Sequence, residues 1–163
     1  MNIKMTQIGI IKTPFKELEN MPIQPKGAKS VKGTVEIFAE YADGLLDIDG
    51  FSHLILLYQF HKSEKYKLQV MPFLEDVVHG VFATRAPKRP SQIGMSIVKL
   101  IKKKDNVLEI EGVDILDGTP LIDIKPFVPN FDAQENVKVG WLEKHHNKVH
   151  NHKSDGRFLN EKA

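Results

Sequence analysis

The stretch spanning residues 93–124 constrains the fold most, because it reads as three strands in immediate succession. Residues 93–102 are apolar-rich, and Lys103-Lys104-Asp105-Asn106 supplies a turn. Leu108-Glu109-Ile110-Glu111 then alternates strictly, as a strand with one buried face must. Asp117-Gly118 supplies the next turn, and residues 121–124 form the last strand. A meander of this kind buries one face and leaves strand edges that other segments have to cover.

The preceding sequence provides those segments. Residues 8–11, 33–37, 53–60 and 80–84 are short, apolar and bounded by turn residues. The expected fold is therefore mainly β, a small antiparallel β-barrel with one or two short helices and long loops. Residues 39–46 read as a short helix halted near Asp49-Gly50. Residues 20–32, with Pro22, Pro25 and Gly27, and residues 62–76, around Pro72, read as long loops of the sort that carry function. Residues 1–142 are expected to form one barrel domain. Residues 143–163, rich in Lys, His and Asn, are expected to be a mobile basic tail.

Composition removes several chemistries. The 163 residues include no cysteine, which excludes disulfides, thiolate metal sites and cysteine nucleophiles. No apolar run is long enough to span a bilayer, and the first residues lack a signal-peptide core, so a cytoplasmic setting without membrane contact is expected. A net charge of +2 permits an RNA partner without indicating one. His145, His146, His150 and His152 form a cluster, but no acidic helix motif accompanies them. A solvated tail is the expected reading, with no metal site. Lys144, Lys148 and Lys153 can touch an RNA backbone non-specifically. The Lys102-Lys103-Lys104 run marks a soluble turn.

The most unusual segment is Phe82-Ala83-Thr84-Arg85-Ala86-Pro87-Lys88-Arg89-Pro90-Ser91-Gln92-Ile93-Gly94. Its prolines stiffen the backbone, and a stiff loop can hold guanidinium groups for bidentate bonds to phosphate or carboxylate. On composition alone, a solvated basic turn is the favoured reading. Likewise, Asp117-Gly118 alone is a hairpin turn, and a lone His61 at the end of a strand is more often structural than catalytic.

The string nevertheless resembles the Phe-Ala-Thr-Arg-Ser-x-x-Arg-Pro-Asn-Pro-Ile-Gly signature of the tRNA methyltransferase O family, also called TsaA-like or YaeB-like. Further pieces agree in order: Ile8-Gly9, Pro14-Phe15, Pro22-x-Gln24, Gly44-Leu45, Gly50-Phe51-Ser52-His53-Leu54, Phe60-His61 and Asp117-Gly118-Thr119-Pro120-Leu121-Ile122-Asp123-Ile124-Lys125-Pro126. The resemblance implies a β-barrel homodimer that binds S-adenosyl-L-methionine near the subunit interface. It also implies methylation of the exocyclic nitrogen of threonylcarbamoyladenosine beside the anticodon of tRNA.

By motif, it implies cofactor contacts at Pro22, Ile23, Gln24, His61, Lys62, Arg85, Met95, Asp117, Gly118, Thr119 and Pro120. The threonyl carboxylate of such a substrate calls for a cation, and Lys88, Arg89 and Lys125 are the candidates. No side chain stands out as a general base. A cofactor-binding regulatory or RNA-binding barrel without methylation is the alternative. The chain departs from the signature at Ala86, Ser91 and Gln92, and loss of the second proline predicts a less rigid loop.

Overall fold

The computed structural model describes residues 3–18, 28, 30–73 and 76–145. Its strands are β1 (Gly9–Lys12), β2 (Lys32–Ile37), β3 (His53–Gln59), β4 (Gln69–Val70), β5 (His79–Gly80), β6 (Ile93–Lys104), β7 (Val107–Glu111) and β8 (Thr119–Pro126). Six of them close a barrel in the order β1-β2-β7-β6-β3-β8, with every neighbour antiparallel. Strands β4 and β5 pair separately. Among the described residues, no helix is long and apolar enough to cross a membrane.

Period-two patterning produces this closure. Leu54, Leu56 and Tyr58 of β3 point inward, as do Val98 and Leu100 of β6 and Leu108 and Ile110 of β7. Ile11, Val35, Ile37 and Leu121 complete the same core. The β6–β7 hairpin turns on Asp105 and Asn106, with Asp105 at φ 52°. Asn106 Nδ2 donates to the Ile37 carbonyl (2.5 Å) and so stitches that turn to the end of β2.

Because all barrel neighbours are antiparallel, the β1–β2, β3–β6 and β7–β8 connections emerge at one end. This end is the mouth of the barrel.

Two expectations are corrected. Residues 80–84 are not a strand: β5 stops at Gly80 and Val81–Ala83 form a 3-10 turn. The Val81 carbonyl accepts from Thr84 Oγ1 (2.9 Å) and Arg89 Nη1 (3.0 Å), so it is not available to a neighbouring strand. The short helix expected over residues 39–46 is instead a 3-10 segment, Ala39–Leu45. A single helical turn at Pro129–Asp132 and a 3-10 turn at Gly140–His145 follow the barrel.

Gly94 is required by packing. A Cβ there would lie 2.2 Å from Tyr58 Cε2, because the ring of this cross-strand partner lies directly over it. Gly94→Ala is expected to cost roughly 1–3 kcal/mol by overpacking, read as a lowered denaturant midpoint with an unchanged slope.

Candidate functional site at the barrel mouth

A polar chain enters the apolar barrel near its mouth. Tyr58 (β3), Ser96 (β6) and Asp114 (β7–β8 connection) are linked: Tyr58 Oη and Ser96 Oγ are 3.0 Å apart, and Ser96 Oγ donates to Asp114 Oδ1 at 2.7 Å. Since the serine proton goes to Asp114, the tyrosine hydroxyl is the donor to Ser96. Burial keeps Tyr58 protonated well above the usual phenol range. Burial also pushes the Asp114 carboxyl up to about 6, against the opposing pull of the Ser96 hydrogen bond and the nearby Arg85 charge. Arg85 is exposed and makes no ion pair among the described residues.

Beside this chain, Thr119 Oγ1 donates to the Leu116 carbonyl (2.7 Å) and lies 3.4 Å from His61 Nδ1. With its proton committed to Leu116, the hydroxyl can only accept from the ring. That fixes the Nδ1–H tautomer and leaves Nε2 as an acceptor. Partial burial, reinforced by the Lys62 charge, holds His61 below the usual imidazole range.

The loop carrying Arg85 is tied down. Arg89 Nη1 also donates to the Thr84 carbonyl (2.8 Å), the Phe60 amide donates to the Gln92 carbonyl (2.8 Å), and Gln92 Nε2 donates to the Ser63 carbonyl. Gln92 sits at φ 51°, a conformation closed to proline. At this departure from the signature, hydrogen bonds to the Ser63 carbonyl and from the Phe60 amide hold the loop where the signature has a proline ring. Ala86 fits equally well, packed with Val70 and Val81 where a serine hydroxyl would need a partner.

The mouth thus gathers His61, Lys62, Arg85 and Thr119, with Pro120 next in β8. Pro22, Ile23 and Gln24 fall in the β1–β2 connection and lie outside the described residues. The histidines at 146, 150 and 152 lie outside them as well, as does the side chain of His145. Among the described residues no group of three potential metal ligands occurs.

Other expected site residues are placed differently. Asp117 is used within the fold: Oδ1 accepts from the Thr13 amide (2.9 Å) and Oδ2 pairs with Lys16 (2.6 Å), an ion pair that lowers the acid's pKa. With Gly118 it lines an open groove of about 760 Å³ on the outer face of β1 and β2. Two of the cations in that groove are already paired, Lys12 with Glu36 and Lys16 with Asp117.

Met95 is 41% exposed on the outer face of β6, opposite Leu57. Lys88 is only 8% exposed, packed within its loop. Arg89 is a brace. Lys125 pairs with Asp123 (2.8 Å) and sits six residues down β8 from Thr119, roughly 20 Å away at about 3.3 Å per residue.

Asp114 was missed by sequence reading. It lies three residues after the strictly alternating run, in a stretch of no unusual composition, and only its partial burial distinguishes it. A weak signal existed: Val113, Ile115 and Leu116 surround the acid with apolar residues.

Residues 10–133 match the tRNA-methyltransferase O N-terminal domain. A probable S-adenosyl-L-methionine-binding protein of Pyrococcus abyssi is 55% identical, over 93% of this chain and 83% of the relative. The tRNA (adenine(37)-N6)-methyltransferase of Escherichia coli is 39% identical over 87% of this chain and 65% of its own length. The crystal structure of TrmO from Pseudomonas aeruginosa superposes with a TM-score of 0.73 at 36% identity, covering 86% of this chain and 63% of that one. This chain therefore spans a little under two thirds of the length of these two methyltransferase relatives. By the extent of the domain match and the identity to these relatives, the chain belongs to the tRNA-methyltransferase O N-terminal domain family.

Proposed function

We propose that the chain is an S-adenosyl-L-methionine-dependent tRNA methyltransferase acting on the exocyclic nitrogen of adenosine 37 in its threonylcarbamoylated form. The observation that carries this reading is a partly buried carboxylate, Asp114, beside an exposed guanidinium, Arg85, at the mouth of a family-matched barrel. The cofactor bears a sulfonium, an ammonium and a carboxylate, so a site with one partly buried anion and one exposed cation fits its charges. The polar chain behind Asp114 keeps that anion oriented, and neutral His61 can accept from a ribose or amino group without adding charge. The residues at Pro22, Ile23, Gln24, Lys62, Met95, Gly118, Thr119 and Pro120 remain cofactor contacts by motif, and Asp114 takes the role first expected of Asp117.

When bound, the cofactor supplies an activated methyl group on sulfur. The protein's part is to position and dry the acceptor, since charge on sulfur disappears during transfer and water would favour the charged ground state. No covalent nucleophile is needed, consistent with the absence of cysteine. The methylated nitrogen is acidic enough to lose its proton to water. For the threonyl carboxylate, Lys62 is better placed than Lys88, Arg89 or Lys125, because it is exposed at the mouth. The same reading places the chain in the cytoplasm, with tRNA. Mass spectrometry of tRNA nucleosides after incubation with protein and cofactor tests it. A mass gain on threonylcarbamoyladenosine, absent from tRNA lacking that modification, is expected. Cofactor binding without transfer would instead favour a regulatory barrel.

A homodimer belongs to this proposal. Ile55, Leu57, Met95 and Ile97 share the outer face of β3 and β6, with Ile93 beside them, an apolar surface suited to a second copy. Light scattering should give twice the 18.5 kDa chain mass, and Met95→Glu should return it to the monomer value.

A further inference from the structure

Phe82 is 74% exposed, yet it stands on one of the most tightly held turns of the mouth. It occupies the middle of the Val81–Ala83 turn, whose first residue is fully buried. Thr84 closes that turn through both its amide (3.1 Å) and its hydroxyl (2.9 Å) onto the Val81 carbonyl. Arg89 Nη1 bridges the Val81 and Thr84 carbonyls on either side of Phe82. Trp141 Nε1 donates to the Ala83 carbonyl (2.9 Å), and its ring stacks on His79 with centroids 4.8 Å apart and planes 20° apart. Trp141 lies beyond the family-matched residues 10–133, so this brace comes from outside the matched domain.

Scattered exposed apolar side chains are ordinary and need no function. Phe82 differs in two respects. The bonds flanking it fix the backbone that carries its ring. Arg89 Cζ also lies 5.9 Å from the ring centroid, so a cation approaches the ring, within the range of a cation–π contact, while most of the side chain stays open. An exposed aromatic ring on a firmly held backbone, approached by a guanidinium and three residues from an exposed Arg85, matches the chemistry that captures unpaired nucleobases: stacking for the base and positive charge for the backbone.

We propose that Phe82 is a stacking platform for an unpaired base of the RNA substrate, held rigid by Arg89 and Trp141. The inference rests on the proposed RNA methylation and assigns an RNA contact to that reading. Because Trp141 is the chain's only tryptophan and bonds to the residue after Phe82, its emission reports on the platform directly.

The test titrates an anticodon stem-loop RNA into the full chain while following Trp141 emission, with cofactor affinity measured separately by calorimetry. RNA should change the emission of the wild type. Phe82→Ala should raise the RNA Kd and the KM for tRNA about tenfold, within the range of one lost base–aromatic stack. Phe82→Tyr should restore both to about the wild-type value, since it keeps the ring. The salt dependence of RNA binding should keep its slope in Phe82→Ala, because stacking releases no counterions. Cofactor Kd and the emission of the free variant should match wild type, showing that the mouth is intact.

Unchanged RNA affinity in Phe82→Ala overturns the platform, as does failure of Phe82→Tyr to restore it. A fall in oligomeric mass in Phe82→Ala would make the ring a protein contact and also overturns it. Cofactor binding with no RNA binding in the wild type would overturn the methyltransferase reading itself, a result distinct from the others.

Discussion

Asp114→Asn should make the protein more stable at pH 7.5 while weakening cofactor binding roughly 30-fold or more, the cost of removing one partner of a buried charge pair. The Asp114 carboxyl is raised from 3.8 to about 6 by burial. As pH rises, the unfolded chain gives up this proton near pH 4, whereas the folded chain keeps it until about pH 6. Between these values the folded state binds more protons, so stability falls with rising pH, and above pH 6 the whole penalty is present. It amounts to at most about 3 kcal/mol. Asparagine can still accept from Ser96 but never ionises, so a gain of about 1–3 kcal/mol, or several degrees in Tm, is expected at pH 7.5. The gain should vanish below pH 4. A drop in Tm at pH 7.5 would show that the carboxylate is structural. Wild-type cofactor affinity should itself decline as pH falls through about 6, measurable by calorimetry with proton uptake by the buffer.

Arg85→Gln is expected to lower tRNA turnover by roughly 10²-fold, in the range for loss of a preorganised charge at a reacting centre. Its more diagnostic effect is on pH dependence. The Arg85 charge is one of the influences holding the Asp114 pKa down. Without it, the acid limb of kcat/KM should move to higher pH, the direction expected for loss of a nearby opposite charge. Arg85→Lys should keep that limb near its wild-type position while losing the planar fork. If the limb stays fixed in Arg85→Gln, Arg85 and Asp114 are not coupled in the working enzyme, and the residual defect reports on substrate contact alone.

The barrel and the mouth were legible to different degrees. Short apolar runs bounded by turn residues identified β1, β3, β6 and β8, and alternation identified β2 and β7, because a half-buried strand must alternate. It failed at residues 80–84, where apolar β-formers are turned into a 3-10 segment by Arg89, five residues beyond the end of that stretch. Among the charged residues, the sequence marked Arg85 for the cofactor and Arg89 for the substrate carboxylate. Their division of labour depends on which carbonyls lie within reach, and those are supplied by the folded loop.

Asp117 and Asp114 show the same limit. Three residues apart in one connection, one acid is drawn outward to Thr13 and Lys16 while the other is sealed against Ser96. Lys125, adjacent to a motif residue in sequence, ends on the far part of β8 because each strand residue carries the chain about 3.3 Å from the mouth.

By itself, then, the sequence determined the mainly β class, the closed barrel and, through the ordered motif pieces, the family, because these rest on local alternation and on spacing along the chain. Only the tertiary structure decided which of several similar charges are paired within the fold and which stay open at the mouth. Burial and hydrogen-bond partners set the working state of an ionisable group, and both are supplied by residues distant in sequence: Ser96 lies eighteen residues before Asp114, and Tyr58 thirty-eight before Ser96.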